Sequence, residues 1–283
     1  MNRNIQSLCA LSAFALCAAS SFAALYGTDI TISDNNYSGS GWYSNREDQE
    51  TEVNPTTVTS QQWDLEAMMM QGSKLSLVGG YDFKNGVTWG DGHNYASGDI
   101  FIDVTGDAVY GTPANSGSGA TGYGAGPHTA TTANVFGYDY VMDLDYSTMT
   151  YNVIKLTSSS LVSRVVDVES SNPWRYVSGG TAVAGYQGVS FTYISGLTNA
   201  QTGFQGDSTN FTGWSTGSDK HYAIQVDTSF LGGGKLATFH YTVECGNDNL
   251  MGQTRTVPDT GVTALLVGGA LMGLVGLRRK FAA

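Results

Sequence analysis

Apolar and polar residues alternate along most of this chain, and between residues 24 and 256 no run longer than a few residues keeps the 3.6-residue period of a helix. Nine segments read as strands: Thr28–Ser33, Lys74–Gly79, Ile100–Val104, Tyr138–Leu144, Met149–Leu156, Leu161–Val168, Val189–Ile194, Tyr222–Val226 and Leu236–Val243. β-Branched and aromatic residues fill them, and Gly, Asn, Asp and Ser bound them, as pleated, half-buried segments require. Trp63–Met70 holds helix-favouring Leu, Glu, Ala and Met, yet Trp63, Leu65, Ala67 and Met69 alternate with Asp64, Glu66 and Met68. Gln71-Gly72-Ser73 then turns the chain into Lys74–Gly79, so a β-hairpin is predicted. Roughly ten short strands without a βαβ rhythm predict an all-β fold, an antiparallel β-sandwich of jelly-roll type, with residues 24–256 as one domain. Gly111–Thr132, rich in Gly, Ala and Thr, reads as a flexible loop inside that domain, and Gly203–Asp219 as a second loop.

The two ends break the pattern. Residues 1–23 read as a secretory signal peptide: Arg3 supplies the positive start, Leu8–Ala19 is apolar, and Ser21-Phe22-Ala23 offers small residues for cleavage between Ala23 and Ala24. At the other end, Val262–Leu277 holds no charge and predicts a single transmembrane helix. Sixteen residues reach about 24 Å at 1.5 Å each, a short span that local bilayer thinning accommodates. Arg278, Arg279 and Lys280 follow at once and act as a membrane stop that keeps this end cytoplasmic. Signal peptide and basic stub therefore demand the same orientation, with the domain outside. Val257-Pro258-Asp259-Thr260-Gly261 precedes the span, and Pro258 holds it extended and accessible at the membrane surface.

A short motif (257–261), an apolar Gly-rich span (262–277) and a basic tail (278–280) together resemble the sorting signal of the PEP-CTERM family of exosortase substrates, in its VPDSG-type variant. Thr260 stands where that variant carries Ser. Further segments resemble PEP-CTERM ectodomains: Gly41–Glu50, Trp63–Glu66, Gly79–Phe83, Ser97–Asp103, Ser171–Gly180 and Glu244–Gly252. The resemblance implies export, recognition by an exosortase-like membrane transpeptidase, removal of the tail, and release or attachment at the bacterial cell surface or extracellular matrix. The motif is also similar to the LPxTG signal of sortase-anchored surface proteins, with Val257 in place of Leu. In its strand pattern the chain resembles the DOMON-like β-sandwiches, which include carbohydrate-binding modules.

Charge narrows the partners. Four of the 13 Lys and Arg belong to the two ends, so the stretch between keeps nine basic residues against all 24 acidic ones, a net charge of −15. No basic patch is left to neutralise phosphates, which argues against nucleic acid and anionic lipid; envelope or extracellular polysaccharide is the partner that the surface-protein resemblance implies. Cys245 is the sole cysteine outside the signal peptide, so no intramolecular disulfide is expected in the mature chain. A nucleophilic Cys245 would need His221 or His240 as its base. Asp99, Asp103 and Asp107 recur at intervals of four around Thr105-Gly106 and are the candidate Ca²⁺ ligands. Glu47, Asp48, Glu50 and Glu52 read as a solvated acidic loop. Trp89, Trp174 and Trp214 sit in or beside polar loops, where aromatic faces could stack on sugars. No H-E-x-x-H or P-loop motif occurs, and the expected role is non-enzymatic and without a cofactor other than candidate Ca²⁺. The alternative, a secreted glycan-active enzyme, would need two carboxylates held at a defined separation.

Overall fold

The structure, a computed structural model, describes residues 26–32, 61–88, 90, 92–108, 129–166, 171–204, 220–246 and 248–256. In chain order the strands are β1 (Thr28–Asp29), β2 (Leu65–Gln71), β3 (Lys74–Gly79), β4 (Val87–Thr88), β5 (Asn94–Tyr95), β6 (Ile100–Asp103), β7 (Thr129–Ala133), β8 (Tyr140–Asp145) and β9 (Thr150–Lys155). They continue as β10 (Leu161–Val165), β11 (Arg175–Ser178), β12 (Thr181–Ala182), β13 (Val189–Ser190), β14 (Thr192–Leu197), β15 (His221–Asp227), β16 (Leu236–Thr242) and β17 (Asn249–Arg255). One helical turn, α1 (Asn199–Thr202), follows β14. Every strand pairing is antiparallel, so the fold is mostly β as the alternation requires.

A five-stranded sheet runs in the order β1-β2-β3-β15-β14, and a seven-stranded sheet in the order β12-β9-β8-β6-β16-β17, with β13 also on β9. A three-stranded sheet, β11-β10-β7, and the β4–β5 ribbon complete the set. The main core takes Met68, Leu75, Leu77 and Ile224 from the five-stranded sheet and Ile100, Ile102, Met142 and Phe239 from the seven-stranded one. Side chains on successive strand residues face opposite ways. Accordingly Phe101, Val141 and Ile154 leave that core and meet Phe136, Tyr138 and Val162, beneath the three-stranded sheet. The seven-stranded sheet is thus covered on both faces, which is why all four residues of β6 are buried. On the outer face of the five-stranded sheet, Ala67, Met69, Val78 and Ala223 pack with Tyr26, Leu197 and Phe204.

Residues 28–32 join the two large sheets. Thr28 and Asp29 pair with β2, while the Ile32 N–H donates to the Met251 carbonyl (2.8 Å) and the Gln253 N–H to the Ile30 carbonyl (2.9 Å). Gly252 permits this close approach: a Cβ there would lie 2.9 Å from Met68 Sδ and 3.2 Å from Ile30 Cδ1.

Several sequence expectations need correction. Val189–Ile194 is not one strand: Val189 and Ser190 pair with β9, Phe191 is buried, and the chain then crosses to β15 of the other sheet. Thr129–Thr132 is not loop but most of β7, laid against β10 from Thr129↔Val165 to Ala133↔Leu161. Gly203 and Phe204 close α1 rather than open a loop, and Phe204 is buried. The signal peptide, residues 111–128 and 205–219, the sorting motif, the span 262–277 and the basic tail lie outside the described residues. Among the described residues no helix is long and apolar enough to cross a membrane.

Candidate functional site

Of the three aspartates expected to bind Ca²⁺, Asp103 and Asp107 meet at the Thr105 hydroxyl, and Asp99 does not join them. Asp99 immediately precedes β6 and Asp103 ends it, about 13 Å away at the usual rise per strand residue. Asp99 is 1% exposed; one carboxylate oxygen accepts the Leu144 N–H (2.9 Å) and the other the Tyr176 N–H (2.8 Å), so it ties β8 to β11. Burial, and then the charge of Asp143, push its carboxyl up to about 7, against the pull of Arg175 and the two backbone donors. Asp103 instead accepts the N–H groups of Thr105 (2.8 Å), Gly106 (2.8 Å) and Ala108 (3.2 Å). Burial raises its carboxyl, but these donors outweigh it and leave Asp103 below the ordinary range. Asp107 is exposed, and the carboxylate that joins this turn is Asp139, which accepts from Val104 N–H (2.7 Å) and Thr105 N–H (3.1 Å). The Thr105 hydroxyl lies within reach of Asp103 (3.2 Å), Asp107 (2.5 Å) and Asp139 (3.0 Å), and its one proton serves one of them at a time. Among the described residues no three His, Cys, Asp or Glu side chains are arranged to hold a metal ion.

Cys245 is buried in the main core. His221 is wholly buried, with Nδ1 2.5 Å from Glu66 Oε1 and Nε2 2.7 Å from Asn199 Oδ1, and Gln61 donates to the same Glu66 oxygen (2.9 Å). His240 donates from Nε2 to the Pro173 carbonyl (2.9 Å) and stacks on Tyr138. Burial lowers its pKa to about 4, so the ring is neutral at physiological pH. Each imidazole nitrogen already faces another group, and both rings serve the interior. Trp174, chosen for sugar stacking, is only 8% exposed. Its backbone is fixed from both sides, its N–H on the Ser163 carbonyl and its carbonyl on the Asp99 N–H, and the Arg175 guanidinium sits 5.1 Å from its ring. A ring enclosed in that way cannot act as a surface platform. Trp89, Trp214, Glu47, Asp48, Glu50, Glu52, Ala23, Ala24, Val257–Gly261 and Arg278–Lys280 lie outside the described residues.

The half-exposed aromatic surface lies elsewhere, at the β14–β15 end of the five-stranded sheet. Tyr193 and Tyr222 occupy inward-facing positions and pack against the edge of the main core, each only partly covered. Their rings are nearly parallel, 13° between planes and 6.3 Å between centroids. Beside them Asp82 begins a tight turn: its Oδ1 accepts the Lys84 N–H (3.1 Å), the Asn85 N–H (3.1 Å) and the Tyr193 hydroxyl (2.7 Å), and its Oδ2 accepts the Asn85 side-chain amide (2.9 Å). Burial, and then the bond to Asp82, hold the Tyr193 hydroxyl far above its ordinary range, so it stays a donor. Burial and the Asp82 charge also raise Tyr222. The tryptophan positions do not point to this group; its signal in the sequence is a tyrosine at an alternating position in each of two strands, with Asp-x-x-Asn between β3 and β4. No protein-family model, no curated protein and no solved structure matches this chain.

Proposed function

We propose that the chain is an exported, non-enzymatic protein of the bacterial cell surface or extracellular matrix, built as an antiparallel β-sandwich of jelly-roll type. An exosortase-type membrane transpeptidase processes it at Val257–Gly261 after the 262–277 helix has paused in the bilayer. The observation that carries this reading is the agreement of the two ends: the Arg3–Ala23 leader and the Arg278-Arg279-Lys280 stop demand one orientation, and the motif sits where that orientation exposes it. The sandwich reading is supported by a main core that draws side chains from both large sheets. The non-enzymatic reading is supported by the roles of Asp99, Cys245, His221 and His240, which the interior uses for packing and backbone satisfaction. Extracellular polysaccharide is the leading ligand, since an acidic domain offers nothing to phosphate polymers. Mass spectrometry of the mature C-terminus in the native host tests the reading. A terminus near Pro258–Thr260, bare or glycan-linked, agrees with it, and a chain still ending at Ala283 overturns it.

A further inference from the structure

We infer that Tyr193, Tyr222 and Asp82 form a subsite for a neutral polysaccharide; this rests on the surface-protein reading above and names the ligand class. A sugar ring presents a C–H face and a rim of hydroxyls, so its receptor needs an aromatic face with fixed acceptors and donors at the edge. The two tyrosine rings are held nearly parallel on adjacent antiparallel strands, and both pack against the core while staying partly exposed, so little side-chain freedom is lost on binding. Asp82 is fixed by four hydrogen bonds, only one of them on Oδ2, which leaves that oxygen capacity to accept a hydroxyl. The Tyr222 hydroxyl makes no hydrogen bond among the described residues and can both donate and accept.

Charge selects neutral sugars over acidic ones. No ion pair neutralises Asp82 among the described residues, and the stretch between the two ends carries a net charge of −15. A uronate placed on these rings would face a carboxylate without a counter-charge, whereas a neutral hydroxyl would donate to it.

Affinity electrophoresis of the full chain in non-ionic detergent, through gels cast with β-glucan, xylan, galactomannan or polygalacturonate, tests the inference. At least one neutral polymer should retard the protein and polygalacturonate should not. Tyr222→Ala should weaken retardation about tenfold and Asp82→Asn several-fold, while Tyr222→Phe keeps most of it, as a stacking ring requires. The inference is overturned if no neutral polymer retards the chain, or if polygalacturonate alone does. It also falls if Tyr222→Ala migrates like the wild type. Should Tyr222→Ala melt before the assay, the exposed-side change Asp82→Asn decides by the same measure, with undiminished retardation counting against the site. The sorting reading stands or falls separately on the C-terminus: a processed chain that binds nothing removes the subsite alone, and a binding chain that keeps Ala283 removes the sorting alone.

Discussion

Asp99 immediately precedes a four-residue strand and Asp103 ends it, and the fold moves their carboxyls in opposite directions. Both accept backbone N–H groups, so hydrogen bonding alone does not separate them. Depth does. Asp103 caps an exposed turn at Thr105 and Gly106, and three backbone donors outweigh its burial. Asp99 joins two sheets in the interior, where losing water and facing Asp143 outweigh two donors and the field of Arg175. A carboxylate at a strand end is therefore a poor guide to cation binding; whether it closes a turn or bridges layers decides its chemistry.

The largest expected effect comes from isolating Asp99. Its folded carboxyl titrates near 7 against an ordinary 3.8, so between these values the folded chain holds a proton that the unfolded chain has released. Stability should fall as pH rises through that window, by about 4 kcal/mol at about 1.4 kcal/mol per pH unit. Asp143, raised first by burial, adds in the same direction. His240 masks the trend. Its folded value of about 4 lies below the ordinary 6.5, so the unfolded chain binds the extra proton and acid destabilises the fold by about 3 kcal/mol across pH 6.5 to 4. Wild-type denaturation midpoints should thus change little between pH 4.5 and 6.5. In His240→Gln, whose amide can still donate to the Pro173 carbonyl, stability should drop steadily toward neutral pH; a level profile would remove the assignment of Asp99.

The second expected effect is the mirror image. Asp99→Asn keeps one acceptor but turns an amide toward the other backbone N–H, costing about 1–3 kcal/mol. With that carboxyl gone, only the lesser shift of Asp143 opposes His240, and the variant should lose stability on acidification from pH 6.5 to 4. Urea titrations at four pH values measure the slope, and a variant that grows more stable in acid would contradict the buried neutral imidazole.

How much of this was legible depends on which force sets the position. Lys74–Gly79 is a strand with the predicted bounds because Leu75 and Leu77 alternate strictly and one neighbour on each side completes the pattern. Strand β7, Thr-Ala-Thr-Thr-Ala, carried no large apolar residue and reads as loop; only pairing with β10 makes it a strand. Strand β17 was hidden by Gly252, which weakens a strand on propensity yet is needed where Met68 crowds the backbone. The break at Phe191 was equally silent, since a sheet change leaves the alternation intact on both sides. For the sites, aspartate spacing suggested a shared ligand, but an extended strand separates positions 99 and 103 and brings in Asp139 from 32 residues beyond Asp107. Trp174 reads as a surface ring from its polar neighbours, and the layer above β6 encloses it.

At the Asp103 end the expected effects are smaller, because water can replace what is lost. Asp103→Ala removes the acceptor for three turn N–H groups and should cost about 1–2 kcal/mol at neutral pH. That contribution is present above the ordinary carboxylate range and lost as pH falls through the lowered folded value, so the gap to wild type should narrow below pH 3.8. Chemical denaturation at pH 7 and pH 3 checks it, with a gap that widens in acid counting against the capped turn.

Thr105→Val should give the smallest change and the sharpest test of this end. Valine keeps the shape but deletes the one proton shared among Asp103, Asp107 and Asp139. Three carboxylates then face one another with backbone N–H donors but no hydroxyl between them at an exposed turn, where a charge pair is worth about 1 kcal/mol or less. If repulsion is the cause, raising ionic strength from 10 mM to 1 M should erase most of the loss, since the screening length shrinks from about 30 Å to about 3 Å. A loss that persists unchanged in 1 M NaCl would mean that the hydroxyl acts through local backbone bonding instead, and that the three carboxylates are already kept apart by the N–H groups they cap.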